Sequence, residues 1–296
     1  MQYLIDASVY VFRAHYSMPE DITDSKGNPI NAFYGFCRFI GDFIERNNPK
    51  YLGILFDESL ESSFRTEICA EYKANREPAP IELKRQFQQC KEFVDLLGVF
   101  NWSHPRYEAD DLIGTLVRFG RESGRPSTII SRDKDLAQLI GKDDIFWDYT
   151  GKGKIDYNKI PDVFGVKPEQ IADYLALAGD AVDNISGAPG VGKKTAVALL
   201  QHFNDLDSIY RNLDRIYKVP VRGSKTLGAK LEKHFDKVML SRKLTGIECH
   251  VEIKNIKQNL LIEKPNITGI NELYSELGIG TALRRQAERI NDLQSQ

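Results

Sequence analysis

Nine carboxylates fall in five short groups along this chain: Asp6, Asp57, Glu108-Ala-Asp110-Asp111, Asp133-Lys-Asp135 and Asp180-Ala-Val-Asp183. Taken singly, each group is ordinary. Acidic residues in a helix's first turn complement its dipole, and an Asp-x-Asp is commonly a solvated turn. Convergence would change the chemistry, because two unit charges ~4 Å apart repel by about 4 kcal/mol at an effective dielectric of about 20. Up to nine such groups in one site would demand cations. Oxygen donors with no Cys or His at ligand spacing select hard Mg²⁺ or Mn²⁺ over zinc. Two such ions suit in-line attack on a phosphodiester, one lowering the pKa of a water and the other stabilising the leaving oxygen.

The segments carrying these groups have a common form. Tyr3-Leu4-Ile5 ends at Asp6, the apolar run 51–56 ends at Asp57, and 127–131 leads through Arg132 to Asp133. Short runs rich in Ile and Leu, separated by helix-length stretches, predict buried parallel strands of an α/β fold. Ligands of open α/β sheets bind beyond the carboxyl ends of the strands, so three aspartates should meet on one rim. A fourth strand is expected over 144–149, closed by the turn Gly151-Lys-Gly153. Helical spacing appears over 32–46 and 81–97, and Glu108, Asp110 and Asp111 should open another helix. Asp180 and Asp183 share a face if their turn is helical. The basic, proline-bearing residues 60–80, with Arg65, Tyr72, Lys73 and Arg76, suit an exposed loop or arch better than a core.

From about Lys167 the chain turns helical, with pieces over 168–178, 193–203, 207–212 and 229–244. Between Gly190 and Lys243, twelve Lys or Arg face five Asp or Glu, a local +7 concealed by a total of −2. Local fields of this size steer ligands whatever the total. Gly187-Ala-Pro-Gly-Val-Gly-Lys193-Lys194-Thr195 mimics a phosphate-binding P-loop, but Lys194 stands where the motif needs Ser or Thr, and a helix precedes it instead of a strand. A helix–hairpin–helix is the better reading, with Gly190, Val191 and Gly192 in the turn and Lys193, Lys194 and Thr195 opening the second helix. Its free amides would take a backbone phosphate without reading sequence. A last helix is expected over 280–290.

These segments resemble, in order, the 5′-nuclease family that includes the N-terminal domain of bacterial DNA polymerase I, phage 5′-exonucleases and the flap endonucleases. The matching residues are Leu4-Ile-Asp6, Phe56-Asp57, Ser63-Phe-Arg65, Tyr72-Lys-Ala-Asn-Arg76, Tyr107-Glu-Ala-Asp-Asp111, Ser131-Arg-Asp-Lys-Asp135, Leu177-Ala-Gly-Asp-Ala-Val-Asp-Asn184 and Gly187-Ala-Pro-Gly-Val-Gly192. The resemblance implies metal ligation by Asp6, Asp57, Glu108, Asp110, Asp111, Asp133, Asp135, Asp180 and Asp183. It also implies charge stabilisation at the scissile phosphate by Lys73 and Arg76, phosphate contacts by Arg13 and Arg65, and stacking of a displaced base on Tyr72. A potassium ion at the hairpin would rest on the carbonyls of Leu177, Ala178, Ser186, Ala188 and Val191. The implied architecture is a central, mostly parallel sheet flanked by helices over 1–166, with an arch at about 60–85. A helical subdomain over 167–250 follows, with its hairpin at 185–200; residues 251–296 lie beyond the resemblance and are expected to pack back on the core.

The function so implied is a Mg²⁺- or Mn²⁺-dependent 5′-3′ exonuclease and 5′-flap endonuclease, holding two or more ions. Its substrate would be DNA with a 5′ flap or 5′ single-stranded end, with RNA–DNA primer junctions as a further target. Two rivals remain in view. A DNA-binding scaffold with an idle acidic rim predicts binding without cleavage, and a PIN-like ribonuclease shares the rim but not the hairpin and arch. An aspartyl-nucleophile phosphatase would need an Asp-x-Asp strand end, and Asp6-Ala-Ser8 lacks the second Asp. No leader pattern and no apolar stretch of ~18 residues is present. Four scattered cysteines form no CxxC pair and suit reduced, packed thiols. A monomeric cytoplasmic protein without membrane contact is expected.

Overall fold

The computed structural model describes residues 1–58, 63–151, 153–253 and 260–294. Its centre is one six-stranded sheet in the order β3-β2-β1-β4-β5-β6. The strands are β1 (Gln2–Asp6), β2 (Leu52–Leu55), β3 (Phe100–Trp102), β4 (Ser127–Ile130), β5 (Ile145–Asp148) and β6 (Gly153–Asp156). All pairings are parallel except β5 with β6. The short edge strands β3 and β6 carry no long apolar run, and sequence spacing gave no sign of them. Alternation sorts side chains to the two faces: Leu4, Leu55 and Ile129 enter one core, and Ile5, Ile54 and Ile130 the other. Because β2 and β4 flank β1, the chain reverses its direction of travel across the sheet there. That reversal opens a crevice at the carboxyl end of β1.

Helices cover both faces. On the face of Ile5 lie α1 (Ala7–Ser17) and α2 (Asn31–Asn47), where Tyr10 stacks on Phe39 at 4.0 Å. The short α3 (Phe64–Ile68) precedes α4 (Ile81–Leu96), which joins the same layer, and α5 (Ala109–Glu122) packs on the opposite face. Helix α1 was not foreseen. It begins at the residue after β1 because Asp6 itself caps it, accepting from the Val9 amide.

The helical remainder comprises α6 (Ile160–Phe164), α7 (Ile171–Ala178), α8 (Lys193–Phe203), α9 (Leu206–Arg211), α10 (Ser224–Lys233) and α11 (Phe235–Thr245). The expected single helix over 229–244 is divided at His234, whose amide closes α10. The last pair, α12 (Ile267–Glu276) and α13 (Thr281–Gln294), returns to the core of Ile5, where Tyr274 stacks on Phe93 at 5.9 Å. Among the described residues no helix is long and apolar enough to cross a membrane.

Candidate active site

The strand ends deliver their carboxylates to the crevice. Asp6, 3% exposed, accepts a 2.8 Å hydrogen bond from the Ser131 hydroxyl. Asp57 accepts from the Ala109 amide at 2.8 Å, tying β2 to the start of α5. Asp133 accepts from the Asp135 amide at 2.9 Å. Glu108 caps α5 in a reciprocal box, its own amide donating to Asp111 at 3.1 Å. Asp6, Asp57, Glu108, Asp110 and Asp133 line one cavity of about 700 Å³. Asp133, Asp135, Asp180 and Asp183 line an adjoining one of about 1050 Å³. The expected single pocket is thus two, joined through Asp133. Among the described residues no three of these groups close on one point as ligands of a single ion would.

Electrostatics nevertheless mark them as one crowded system. Burial, then Asp57 and Asp133, pushes Asp6 up to about 7. Burial, then Asp133, Asp180 and Asp183, pushes Asp135 up to about 8. Asp57, Asp110 and Asp133 are raised as well, in each case mainly by burial. Glu108 goes the other way: burial lifts it, but Lys73 and Arg65 more than offset that and hold it below its usual value. Desolvated, mutually repelling oxygen donors fit hard divalent cations.

Residues 64–76 fold over this rim. Lys73 adopts left-handed backbone (φ 54°) and donates to Glu108 at 2.8 Å, with Asp183 at 3.8 Å. Arg76 pairs with Asp183 at 2.5 Å. Asn184 donates to the Glu71 carbonyl at 2.7 Å and Asn75 to the Ala181 carbonyl at 3.1 Å, pinning the segment to the 180–184 turn. The expected exposed arch is thus exposed only in part, since its inner side packs on the rim. Tyr72 is 4% exposed, its hydroxyl 3.2 Å from both Glu108 and Asp183, so it offers no face for a displaced base in this arrangement. Residues 60–62 of the expected arch lie outside the described residues.

Asp111 and Arg65 also differ from expectation. Asp111 is fully buried, lines neither cavity, and forms a two-point pair with Arg65 at 2.8 and 2.7 Å. Arg65 further donates to the carbonyls of Leu244 and Gly246 at 2.9 and 2.8 Å. These partners account for both charges, so neither is placed for metal or phosphate. They bolt the base of the arch and the start of α5 to the end of α11. Replacing Arg65 by Ala should cost about 3–5 kcal/mol by stranding a buried carboxylate, and Arg65→Leu with Asp111→Leu should recover part of the loss. Denaturant unfolding of the three proteins measures this, and a single-variant loss below about 1 kcal/mol would contradict it.

The remaining expected residues lie farther off. Arg13, two turns along α1, lines a separate cavity with Arg38 and Arg46. Helix α7 ends at Ala178, so Asp180 and Asp183 sit in a turn closed by mutual Asp180–Ile185 backbone hydrogen bonds of 2.7 Å, and not on a helix. A Cβ on Gly187 would lie 2.4 Å from the Gly179 amide, which explains both glycines. Gly190 turns with φ 81°, and Gly192 precedes α8 with no side chain capping it and open space around it. Lys193 and Lys194 are exposed, and Thr195 is half-buried. Of the five carbonyls assigned to potassium, those of Leu177 and Ala188 accept the Ala188 and Val191 amides; Ala178 and Ser186 adjoin the Gly179–Gly187 crossing. Sequence reasoning missed the support given by Ser131 and Ser8, whose hydroxyls hold Asp6 and the Asp57 amide. A hydroxyl one or two residues from a strand-end aspartate was the available signal.

A parallel sheet with an acidic crevice at its reversal point, roofed by a basic segment and followed by a helical hairpin module, defines a nuclease-type α/β fold with a SAM-like C-terminal part. Comparison with known proteins agrees. Residues 1–165 match the "5′-3′ exonuclease, N-terminal resolvase-like domain" and 166–268 the "5′-3′ exonuclease, C-terminal SAM fold". The chain belongs to the 5′-3′ exonuclease family. It is 33% identical to the 5′-3′ exonuclease of Aquifex aeolicus over 95% of this chain and 93% of that one. It is 38% identical to DNA polymerase I of Pseudomonas aeruginosa over 93% of this chain, but spans only 30% of that protein's length. Among solved structures, T5 5′-exonuclease with bound divalent metal ions (zinc) superposes with a TM-score of 0.66 at 18% identity, covering 99% and 98% of the two chains. The catalytic core of Rad2 in complex with DNA substrate gives 0.63 at 14% identity, covering 98% and 90%.

Proposed function

We propose that this protein is a structure-selective 5′-3′ exonuclease and 5′-flap endonuclease that hydrolyses DNA phosphodiesters with two or more Mg²⁺ or Mn²⁺ ions. One observation carries the reading: two adjoining acidic cavities share Asp133 beneath a roof bearing Lys73 and Arg76. Asp6, Asp57, Glu108, Asp110 and Asp133 would hold one ion and Asp133, Asp135, Asp180 and Asp183 the other. Such ions supply Lewis-acid activation of water and charge neutralisation. Lys73 and Arg76, released from Glu108 and Asp183, turn to the phosphate undergoing attack. The hairpin amides of Gly190 and Gly192–Thr195 and the neighbouring lysines would hold the duplex through its phosphates, and the carbonyls around the hairpin would hold a potassium ion. Rad2 with DNA and T5 5′-exonuclease with divalent metal support this assignment by likeness of fold.

The test uses end-labelled 5′-flap, nicked and single-stranded DNA, with Mg²⁺ or with EDTA. Cleavage near the flap junction only with Mg²⁺ is expected, leaving a 5′-phosphate. Tight binding of all three without any cutting would return the scaffold reading.

A further inference from the structure

A fourth cavity, of about 380 Å³, lies beyond the acidic rim at the sheet edge. Its walls are Trp102, His104, Arg106, Tyr107 and Glu252. Trp102 ends β3 in register with Leu55, two residues before Asp57, and Tyr107 immediately precedes Glu108. Two of its walls thus adjoin residues of the acidic rim, Tyr107 along the chain and Trp102 across the β2–β3 register. It also abuts the base of the arch, where the Phe64 amide donates to the Arg106 carbonyl at 2.8 Å and the Phe64 ring lies 5.4 Å from that of Tyr107.

Its chemistry is selective. The rings of His104 and Tyr107 stand 4.9 Å apart, and the Arg106 amide donates to His104 Nδ1 at 3.1 Å, fixing the imidazole. Trp102, His104 and Tyr107 are half-buried, with no aliphatic side chain among the walls. The indole N–H of Trp102 and the carboxylate of Glu252 have no hydrogen-bond partner among the described residues, which leaves one donor and one acceptor beside aromatic faces. Arg106 is engaged by Glu67 at 3.0 and 2.7 Å in an exposed pair, so a phosphate would have to compete with that carboxylate. Glu252 and Glu67 would repel an anion. Planar, uncharged and hydrogen-bonding describes a nucleobase.

Resting on the nuclease reading above, we propose that this cavity stacks one unpaired base of the 5′ single strand beside the cutting site, with the sugar-phosphate backbone left outside. Base–aromatic stacking is tolerant of sequence, and a duplex, whose bases are already stacked, cannot offer one. The cavity would thereby favour substrates whose 5′ strand is unpaired.

The chain has two tryptophans, so Trp147→Phe leaves Trp102 as its only indole. In EDTA, unlabelled oligothymidylate should quench Trp102 emission saturably, and blunt duplex should not. His104→Ala should weaken oligothymidylate binding roughly tenfold, read by anisotropy of a labelled strand, and Trp102→Leu in the otherwise natural chain should do the same. Binding of the oligonucleotide with unchanged Trp102 emission would overturn the cavity assignment while the nuclease reading stands. Equal quenching by blunt duplex would overturn it too. No binding of any DNA would remove both.

Discussion

Without divalent cations, thermal stability should fall as pH rises from about 5 to about 8, and Mg²⁺ should restore it at the upper end. The direction follows from the raised carboxylates. Asp6 at about 7 and Asp135 at about 8, against 3.8 for an ordinary aspartate, hold protons in the folded chain that the unfolded chain releases. Their contribution is complete below the unfolded value and is lost as pH climbs through the folded ones. Asp57, Asp110 and Asp133 add in the same sense. Glu108, held low by Lys73 and Arg65, acts oppositely, but its effect is already in place above about pH 5. One pKa unit corresponds to about 1.4 kcal/mol. These groups titrate together and not as independent sites, so a loss of roughly 2–4 kcal/mol is expected. That lowers Tm by roughly 5–10 °C in a chain of this size. Mg²⁺ at about 100 times its Kd would return about 2.7 kcal/mol. Melting curves at pH 5, 6.5 and 8, in EDTA and in Mg²⁺, decide the matter. A Tm in EDTA that is flat or rises across this window contradicts the crowding.

Replacing Lys73 by Met should lower the single-turnover cleavage rate about 10²–10³-fold while DNA affinity changes only a few-fold. The stem of the side chain is kept, so packing over Tyr72, 4.9 Å from the ammonium, survives. What is lost is a cation held at the rim by Glu108, and a single well-placed donor to developing charge carries this magnitude. Arg76 is half-exposed and reaches only the outer carboxylate, Asp183, so Arg76→Met should cost less. Rapid-quench measurements on a 5′-flap substrate, paired with anisotropy, separate the two quantities. Equal loss of rate and binding would make Lys73 a docking residue.

Much of this was legible because β1, β2 and β4 are buried on both faces and so read as short runs rich in Ile and Leu. Each run stops where the chain meets the crevice, at Asp6, Asp57 and the residues after Ile130. Helices α2 and α8 were legible for the complementary reason, since their apolar periodicity faces one core. Composition could not tell Asp110 from Asp111. Adjacent residues on α5 point about 100° apart, so one enters the cavity while the other meets Arg65. Arg65 looked like a phosphate ligand because its partners, Asp111 and the carbonyls of Leu244 and Gly246, are distant in sequence. Long-range pairing of that kind leaves no local trace. The helix read ahead of the glycine-rich loop does not carry on to Asp180 and Asp183, because Gly179, with a φ of 80°, ends α7.

The most direct measurement counts manganese ions bound at pH 8 by isothermal titration, for the natural protein and three variants. Two or more ions per chain are expected. Asp110→Asn should weaken one class of site, Asp180→Asn another, and Asp111→Asn should leave the count unchanged. An unchanged isotherm for Asp110→Asn and Asp180→Asn, or no binding by the natural chain, would contradict a cation-holding rim.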